Sequence, residues 1–336
     1  MPARRTIHFT TQADFKGYYR NRKLFGKRER EIIECLLKKD VLPLLDGMEI
    51  AAFFGVSQSA LRSVLIQPDS HYRRFRIRKK ASGWRQICAP RDFLSGIQSR
   101  LLSSILSKIK PHKAAHAYMR GTSTLTCARP HKGNRYLWNV DLKDFFRQVT
   151  SSRVEEVFLR IGYPESAARF LAKLCTYRDE LPQGSQTSPA LSNLVFQAAD
   201  SLIASLCRRN KVAYTRYGDD LSFSSDEPLS EDFQQKVESI LNKSGFKLNP
   251  LKSRLMGPAC QRKVVGVVVN QKLSLPRTKR REIRALFHRA AQHPDEFEDR
   301  HSELAGLANW VRGFHPKEGA KYLLQIQRIT LSEHSS

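Results

Sequence analysis

The sequence predicts an α+β fold around a mainly antiparallel sheet, and three observations carry that prediction. Short apolar strands return on themselves as hairpins rather than alternating regularly with helices. Segments of clear helical periodicity separate those hairpins. No repeat or low-complexity linker interrupts the 336 residues, so the lobes share one continuous architecture.

Taken in order, residues 26–65 read as helical, with Ile32, Ile33, Leu36 and Leu37 at helix spacing and a second unit over residues 48–65. That unit has the form of a helix-turn-helix, with Gly55 at the turn and Ser57 or Ser59 capping the next helix. Two readings stand for it: a DNA-reading module, or two packed helices ahead of a catalytic lobe. Residues 72–80 alternate apolar and basic, Ala81, Ser82 and Gly83 turn, and residues 84–88 return, making a basic hairpin. A helical stretch covers residues 94–109. Residues 136–142 form a short apolar strand that reaches the carboxylate of Asp141.

Ser152 and Glu155 form a capping box for a helix that Gly162 closes. Pro189 suits the first turn of a long buried helix whose apolar positions are Leu191, Leu194, Val195, Ala198, Leu202 and Leu206. Strands on either side of Gly218-Asp219-Asp220 make a second hairpin. Phe233, Val237, Ile240 and Leu241 mark an amphipathic helix, and residues 263–269 with 273–275 make a third hairpin. After Pro276 the pattern is helical to the end.

Composition narrows the partners. Lysine and arginine outnumber aspartate and glutamate 58 to 32, a net charge of +26 spread from Arg4 to Arg328, so the expected partner is a polyanion, above all nucleic acid. No apolar run approaches the roughly 20 residues of a spanning helix, and no signal-peptide pattern is present, so a cytoplasmic location away from membranes is expected. The six cysteines, Cys35, Cys88, Cys127, Cys175, Cys207 and Cys260, stand singly, without the paired spacing of zinc or disulfide frameworks. No histidine pair has metal-binding spacing on a helix face. A catalytic metal must therefore be held by carboxylates.

Asp219 and Asp220 are adjacent carboxylates at a hairpin tip. Such neighbours repel, so a fold that ties them into a tight turn calls for a compensating cation, although an acid pair in a surface turn is also an ordinary solvated feature. Asp141, ending another apolar strand, raises the functional reading: if the two strands are neighbours, three hard oxygen donors meet at one sheet edge. Such a set suits Mg²⁺, and two ions about 3.5–4 Å apart activate a sugar hydroxyl and neutralise leaving pyrophosphate. The reaction indicated is nucleotidyl transfer.

Other residues carry paired readings. Phe145 and Phe146 follow Asp141 either as core residues or, for Phe146, as a ring under the incoming sugar that excludes a 2′-hydroxyl. Asp144 is a solvated turn acid or helps to position the nucleotide. Residues 181–189 are a capped loop, or one in which Gly184 lets backbone approach a base pair while Gln183 hydrogen-bonds near the nucleotide. Lys79 and Arg85 on the basic hairpin are solvated charges or paired cations over a triphosphate. Lys252 is an idle surface lysine or a proton donor to pyrophosphate.

The order of these pieces, basic hairpin, Asp141, Gln183-Gly184, Asp219-Asp220, Lys252, then a hairpin and a basic helix, resembles the reverse transcriptase family. The match spans about residues 72–277 and is most specific at Tyr214-Thr-Arg-Tyr-Gly-Asp-Asp-Leu-Ser-Phe-Ser224. The resemblance implies a right-hand polymerase fold: an N-terminal helical region over 1–70, fingers over 71–135, a palm over 136–275 with a helical insertion at about 151–180, and a helical thumb over 276–336. It implies Asp141, Asp219 and Asp220 as catalytic, with Leu142 beside them among the metal ligands. Lys79, Arg85, Asp144, Phe146, Gln183, Gly184 and Lys252 would contact the nucleotide, and two Mg²⁺ ions, with Mn²⁺ as a substitute, would serve as cofactor.

Within the family the chain is most similar to bacterial retron enzymes. Cys127-Ala-Arg-Pro-His131 sits where these carry Asn-Ala-x-x-His, and Val264-Val-Gly266 where they carry Val-Thr-Gly before the third hairpin. Cysteine at 127, valine at 265 and glycine at 218, where retrons usually have alanine, depart from that pattern. The resemblance implies RNA contacts at His131 and Gly266, and backbone contacts on the thumb at Arg277, Lys279, Arg280, Arg281 and Arg284. It implies as partners a structured non-coding RNA serving as template and primer, deoxynucleotides, an RNA–DNA hybrid, the DNA product and an effector protein encoded nearby. The expected product is branched RNA-linked DNA started from an RNA 2′-hydroxyl, in antiphage defence. The alternatives are a defence-associated reverse transcriptase without branched product, an RNA-dependent RNA polymerase, and a non-catalytic nucleic-acid binder.

Overall fold

The computed structural model describes residues 17–19, 25–78 and 83–333. The chain divides into two compact units that interleave along the sequence: Met1–Lys113 with Lys143–Ser201 and Asn242–Phe246, and Ala114–Leu142 with Leu202–Leu241 and Lys247–Ser336.

In the first unit, Asp46 caps the helix Gly47–Phe54 by accepting hydrogen bonds from the amides of Met48 and Glu49, each at 2.8 Å. Gly55, at φ 69°, reverses the chain, and Ser57 caps Gln58–Ile66 by accepting from the Ala60 amide at 3.1 Å. Ile50, Phe53, Phe54, Leu61 and Val64 are all buried, as the packed-helix reading requires. Glu49 is buried among them and accepts from the Tyr19 hydroxyl at 2.9 Å and the Leu45 amide at 2.7 Å. Burial pushes its carboxyl up to about 7, against the pull of those donors.

Strands β1 (Tyr72–Arg78) and β2 (Trp84–Pro90) form the basic hairpin, with Phe75 opposite Ile87 and Ile77 opposite Arg85. The helix Ser151–Ile161 is capped not by a Ser152–Glu155 box but by Thr150, whose hydroxyl accepts from the Arg153 amide; Gly162 does end it. Phe145 is buried against Phe196 and Phe246, with ring centroids 5.7 and 5.6 Å away.

The helix Ser188–Arg209 has Pro189 in its first turn as expected, but Ala198 and Leu202 are exposed, and Phe196, Ala199 and Ile203 supply the buried face instead. This helix is, contrary to the expectation from the sequence, long and apolar enough to cross a membrane, yet it is mostly buried inside the protein and carries the buried Asp200.

The second unit is organised by a four-stranded antiparallel sheet of order β4-β5-β3-β6, where β3 is Tyr136–Asp141, β4 Ala213–Tyr217, β5 Asp220–Ser225 and β6 Arg254–Met256. On one face Phe223 stacks between Trp138 and Tyr214, both 5.0 Å away. On the other, Leu137 packs with Cys127, Ala128, Val264, Val267 and Val269. The helices Arg277–Gln292, His301–Phe314 and Pro316–Glu333 bury a core of their own, in which Phe287 and Tyr322 stack at 4.1 Å.

The predicted pairing of 263–269 with 273–275 is present as one antiparallel bridge, Val268 with Ser274, whose amides donate to each other's carbonyls at 2.8 and 3.1 Å, and a tighter hairpin precedes it, pairing β7 (Lys263–Val264) with β8 (Val267–Val268) across a Val265-Gly266 turn. Both turn residues have positive φ, 47° and 79°, as in a type I′ turn. The Val-x-Gly element therefore turns the tighter hairpin and precedes the turn between Val268 and Ser274.

Candidate active site

The period-2 strand ending at Asp141 lies beside the strand that begins at Asp220, and their register sets Asp141 directly opposite Asp220. Asp219 occupies the two-residue turn with Gly218, whose φ of 67° suits the first central position of a type II′ hairpin. The turn is tied back by the Leu142 amide, which donates to the Asp219 carbonyl at 3.0 Å. The conditional expectation about neighbouring strands is thus met: one sheet edge brings together Asp141, Leu142, Asp219 and Asp220.

The electrostatics reflect crowding. Desolvation, then the charges of Asp219 and Asp141, push the Asp220 carboxyl up to about 6, with Lys252 pulling against them. Asp220 nevertheless stays exposed at the tip, so the fixed neighbouring charges are the sturdier cause. The Lys252 ammonium lies 2.8 Å from Asp141 Oδ2, and that bond holds its pKa above the ordinary lysine value.

Among the described residues no three acids, histidines or cysteines are gathered closely enough to ligate one ion as they stand. The donor chemistry still fits a hard divalent cation: three carboxylates share an edge where one exposed lysine balances them.

Two residues that the sequence did not single out hold this turn. Arg216 is fully buried, and its guanidinium donates to the Gly218 carbonyl at 2.9 Å. The Tyr118 hydroxyl caps the turn from outside, 3.0 Å from where a Cβ on Gly218 would lie, but it is the end of a half-exposed side chain, and the positive φ of 67° is the stronger reason for glycine there. A lone charge in a short strand otherwise free of charge was the available signal for Arg216; Tyr118 left none.

Apart from Lys252, the nucleotide-side candidates lie in the first unit. Gln183 is half-buried and its carbonyl accepts from the Cys88 amide at 2.7 Å, docking the loop on β2. Gly184, at φ 120°, could not carry a Cβ without coming within 3.0 Å of Ile87 Cγ2 and 3.2 Å of the Cys88 carbonyl. The close approach that requires glycine is therefore to protein backbone. Buried Gln98, unmarked by the sequence, fixes the loop by accepting from the Ser185 hydroxyl at 2.6 Å.

Asp144 is exposed in a left-handed conformation at φ 45°, and its carbonyl starts the short turn Phe145–Gln148. Phe146 is half-buried, edge-on to Phe145 at 5.7 Å. Arg85 is exposed on the hairpin, and Lys79 lies outside the described residues.

His131 requires a correction. Its side chain is fully buried, with Nδ1 2.6 Å from the Ser224 hydroxyl and Nε2 2.7 Å from that of Thr215, so it bridges the strands β4 and β5 and presents nothing to RNA. Burial pushes its pKa down to about 3 and keeps the ring neutral. Cys127 joins the same network, its Sγ 3.2 Å from the Thr215 hydroxyl. Gly266 is exposed at its turn. Of the cations on the helix Arg277–Gln292, Arg277 and Arg281 are exposed, Lys279 pairs with Glu282 at 2.9 Å, and the exposed Arg284 reaches Glu318 at 3.5 Å. Arg280 is half-buried against Glu318 at 2.7 Å, which commits its charge within the helical core.

Comparison with known proteins agrees with this architecture. The family model described as "Reverse transcriptase (RNA-dependent DNA polymerase)" matches residues 77–284. The chain is 34% identical to the retron Mx65 reverse transcriptase of Myxococcus xanthus, over 81% of this chain and 69% of the relative. It is 32% identical to the retron Ec86 reverse transcriptase of Escherichia coli, over 80% and 84% respectively. To the retron Mx162 reverse transcriptase of Myxococcus xanthus it is 29% identical, over 85% and 67%. With the acids on one antiparallel sheet edge and relatives of this kind along most of its length, the chain belongs to the retron branch of the reverse transcriptase family, with that family's right-hand α+β polymerase fold and RNA-directed DNA polymerase activity.

Proposed function

We propose that the protein copies part of a structured non-coding RNA into DNA by nucleotidyl transfer at Asp141, Asp219 and Asp220, starting from a 2′-hydroxyl within the same RNA to yield branched RNA-linked DNA in antiphage defence. The observation that carries the catalytic assignment is the register of β3 and β5, which faces Asp141 with Asp220 beside the Asp219 turn. These carboxylates, with Leu142, would hold two Mg²⁺ ions or Mn²⁺ in their place. Such ions, when bound, neutralise charge on the triphosphate and favour ionisation of the attacking hydroxyl.

The remaining work falls to side chains. Lys252, kept protonated by Asp141, has a proton to give to leaving pyrophosphate. Phe146 excludes ribose by steric overlap, Gln183 and Gly184 bound the nucleotide, Asp144 helps to position it, and Arg85 with Lys79 meets its phosphates. The self-primed reading is supported by similarity to enzymes named for retrons, and an effector protein encoded nearby belongs to it.

Two measurements test the proposal. Asp219→Asn and Asp220→Asn should abolish primer extension in Mg²⁺ while leaving the thermal transition in place; near-normal extension by either refutes the carboxylate assignment. Nucleic acid extracted from the purified protein should contain DNA joined to one RNA, released by debranching enzyme. Unlinked DNA alone would favour a defence enzyme without branched product.

A further inference from the structure

A cationic cavity lies in the second unit. About 470 Å³ in volume, it is lined by Pro258, Arg262, Val268, Asn270, Gln271, Lys272 and Ser274, without an acid among them. Arg262 is 6% exposed. Its Nη1 donates to the carbonyls of Gly257 and Pro258, each at 3.0 Å, and its buried Nε has no hydrogen-bond partner. No carboxylate pairs with it among the described residues, and none pairs with the exposed Lys272.

A buried guanidinium without a counter-charge is costly, and partial carbonyl dipoles offset only part of that cost. The polar groups around it are already committed: Asn270 Oδ1 accepts from the Arg262 amide at 2.9 Å and its Nδ2 donates to the Cys260 carbonyl at 3.0 Å. What the cavity lacks is an anion.

We propose that this cavity is a phosphate subsite, in which Arg262 and Lys272 take one phosphodiester of the RNA that the enzyme carries. The inference rests on the reading that the protein holds an RNA. A guanidinium with a free donor and a mobile ammonium supply the directional and the point-charge halves of phosphate recognition. The site is built into the third hairpin by the loop at Gly257 and Pro258, and the exposed Val265-Gly266 turn takes no part in it.

The test uses the full chain, a synthetic oligouridylate and inorganic phosphate. Removing one cation that neutralises a phosphate of a single strand lowers the slope of log affinity against log salt by about 0.7. Lys272→Gln, a surface change, should lower the slope by about that amount with an unchanged melting temperature. Arg262→Lys, which keeps the charge but not the fork, should weaken oligouridylate binding while retaining most of the slope. Calorimetric titration with inorganic phosphate separates the sources: heat abolished by Lys272→Gln, with no slope change on the oligonucleotide, assigns the pocket to free phosphate rather than backbone. Wild-type slopes in both variants together with no phosphate heat would overturn the subsite. Failure of wild-type protein to bind oligouridylate or its own co-purifying RNA would instead refute the RNA-carrying reading.

Discussion

His131 offers a sharp test, because an RNA contact and an internal tie predict opposite outcomes. Its folded pKa is pushed from 6.5 to about 3, so between those values the unfolded chain binds a proton that the folded chain does not. Stability is therefore fully present above pH 6.5 and lost as pH falls. From 6.5 down to pH 5, at about 1.4 kcal/mol per unit, the loss attributable to this one ring is about 2 kcal/mol. His131→Gln cannot titrate, and it breaks at least one of the bonds to Thr215 and Ser224, at roughly 1–3 kcal/mol.

Urea denaturation at pH 7 and pH 5 should accordingly show the variant weaker at pH 7 and the gap narrowing by about 2 kcal/mol at pH 5. The titration of Glu49, which runs in the opposite sense, cancels in the subtraction. Affinity for the co-purifying RNA at pH 7 should be unchanged, since the ring has no exposed surface. Wild-type stability at both pH values combined with weakened RNA binding would refute the argument and return His131 to the RNA interface.

Three further outcomes are expected. Because Glu49 rises from 4.5 to about 7 on folding, its own contribution to stability should fall by about 3 kcal/mol as pH climbs through that window, opposing that of His131; the stability difference between wild type and Glu49→Gln should move against wild type by that amount from pH 4.5 to 7 in the same denaturation assay. Phe145→Ala should cost about 3–5 kcal/mol in a thermal melt, whereas Phe146→Ala should raise ribonucleotide relative to deoxynucleotide incorporation by about tenfold or more in single-nucleotide kinetics; unchanged sugar selectivity would misplace the gate. Gly184→Ala, strained by a φ of 120° and pressed on Ile87 and Cys88, should lose roughly 1–3 kcal/mol and raise the KM for deoxynucleotides, both measurable on one preparation.

Local chemistry made much of the palm legible. A strand ending on Asp141, and Gly218 before two acids, announce themselves because strand period and turn stereochemistry are short-range properties. The pairing of β3 with β5 joins residues some eighty positions apart, and no local pattern determines it. His131 deceived for a related reason: flanked by Arg129, Pro130 and Lys132, it looks exposed, and only the tertiary fold turns it inward.

The tight turn at Val265-Gly266 left no signal in the sequence because a β-branched residue such as Val265 is a poor occupant of the left-handed region. Contact with the buried cluster around Leu137 compensates for that conformation. In the helix Ser188–Arg209 nearly every position is apolar or small, so periodicity alone could not choose between Leu202 and Ile203 for the buried side.

The docking of the 181–189 loop on β2 has a mechanical consequence. The Cys88 amide bonded to the Gln183 carbonyl, with Gly184 seated on Ile87, pins the loop to the basic hairpin. Hairpin and loop are thus one lever: a tilt that brings Arg85 toward phosphates carries Gln183 by the same rotation, and neither can adjust to a nucleotide alone. Trp84, 61% exposed on the same hairpin, is an intrinsic fluorophore on that lever, so a single emission change on deoxynucleotide addition would time the movement of both contacts together.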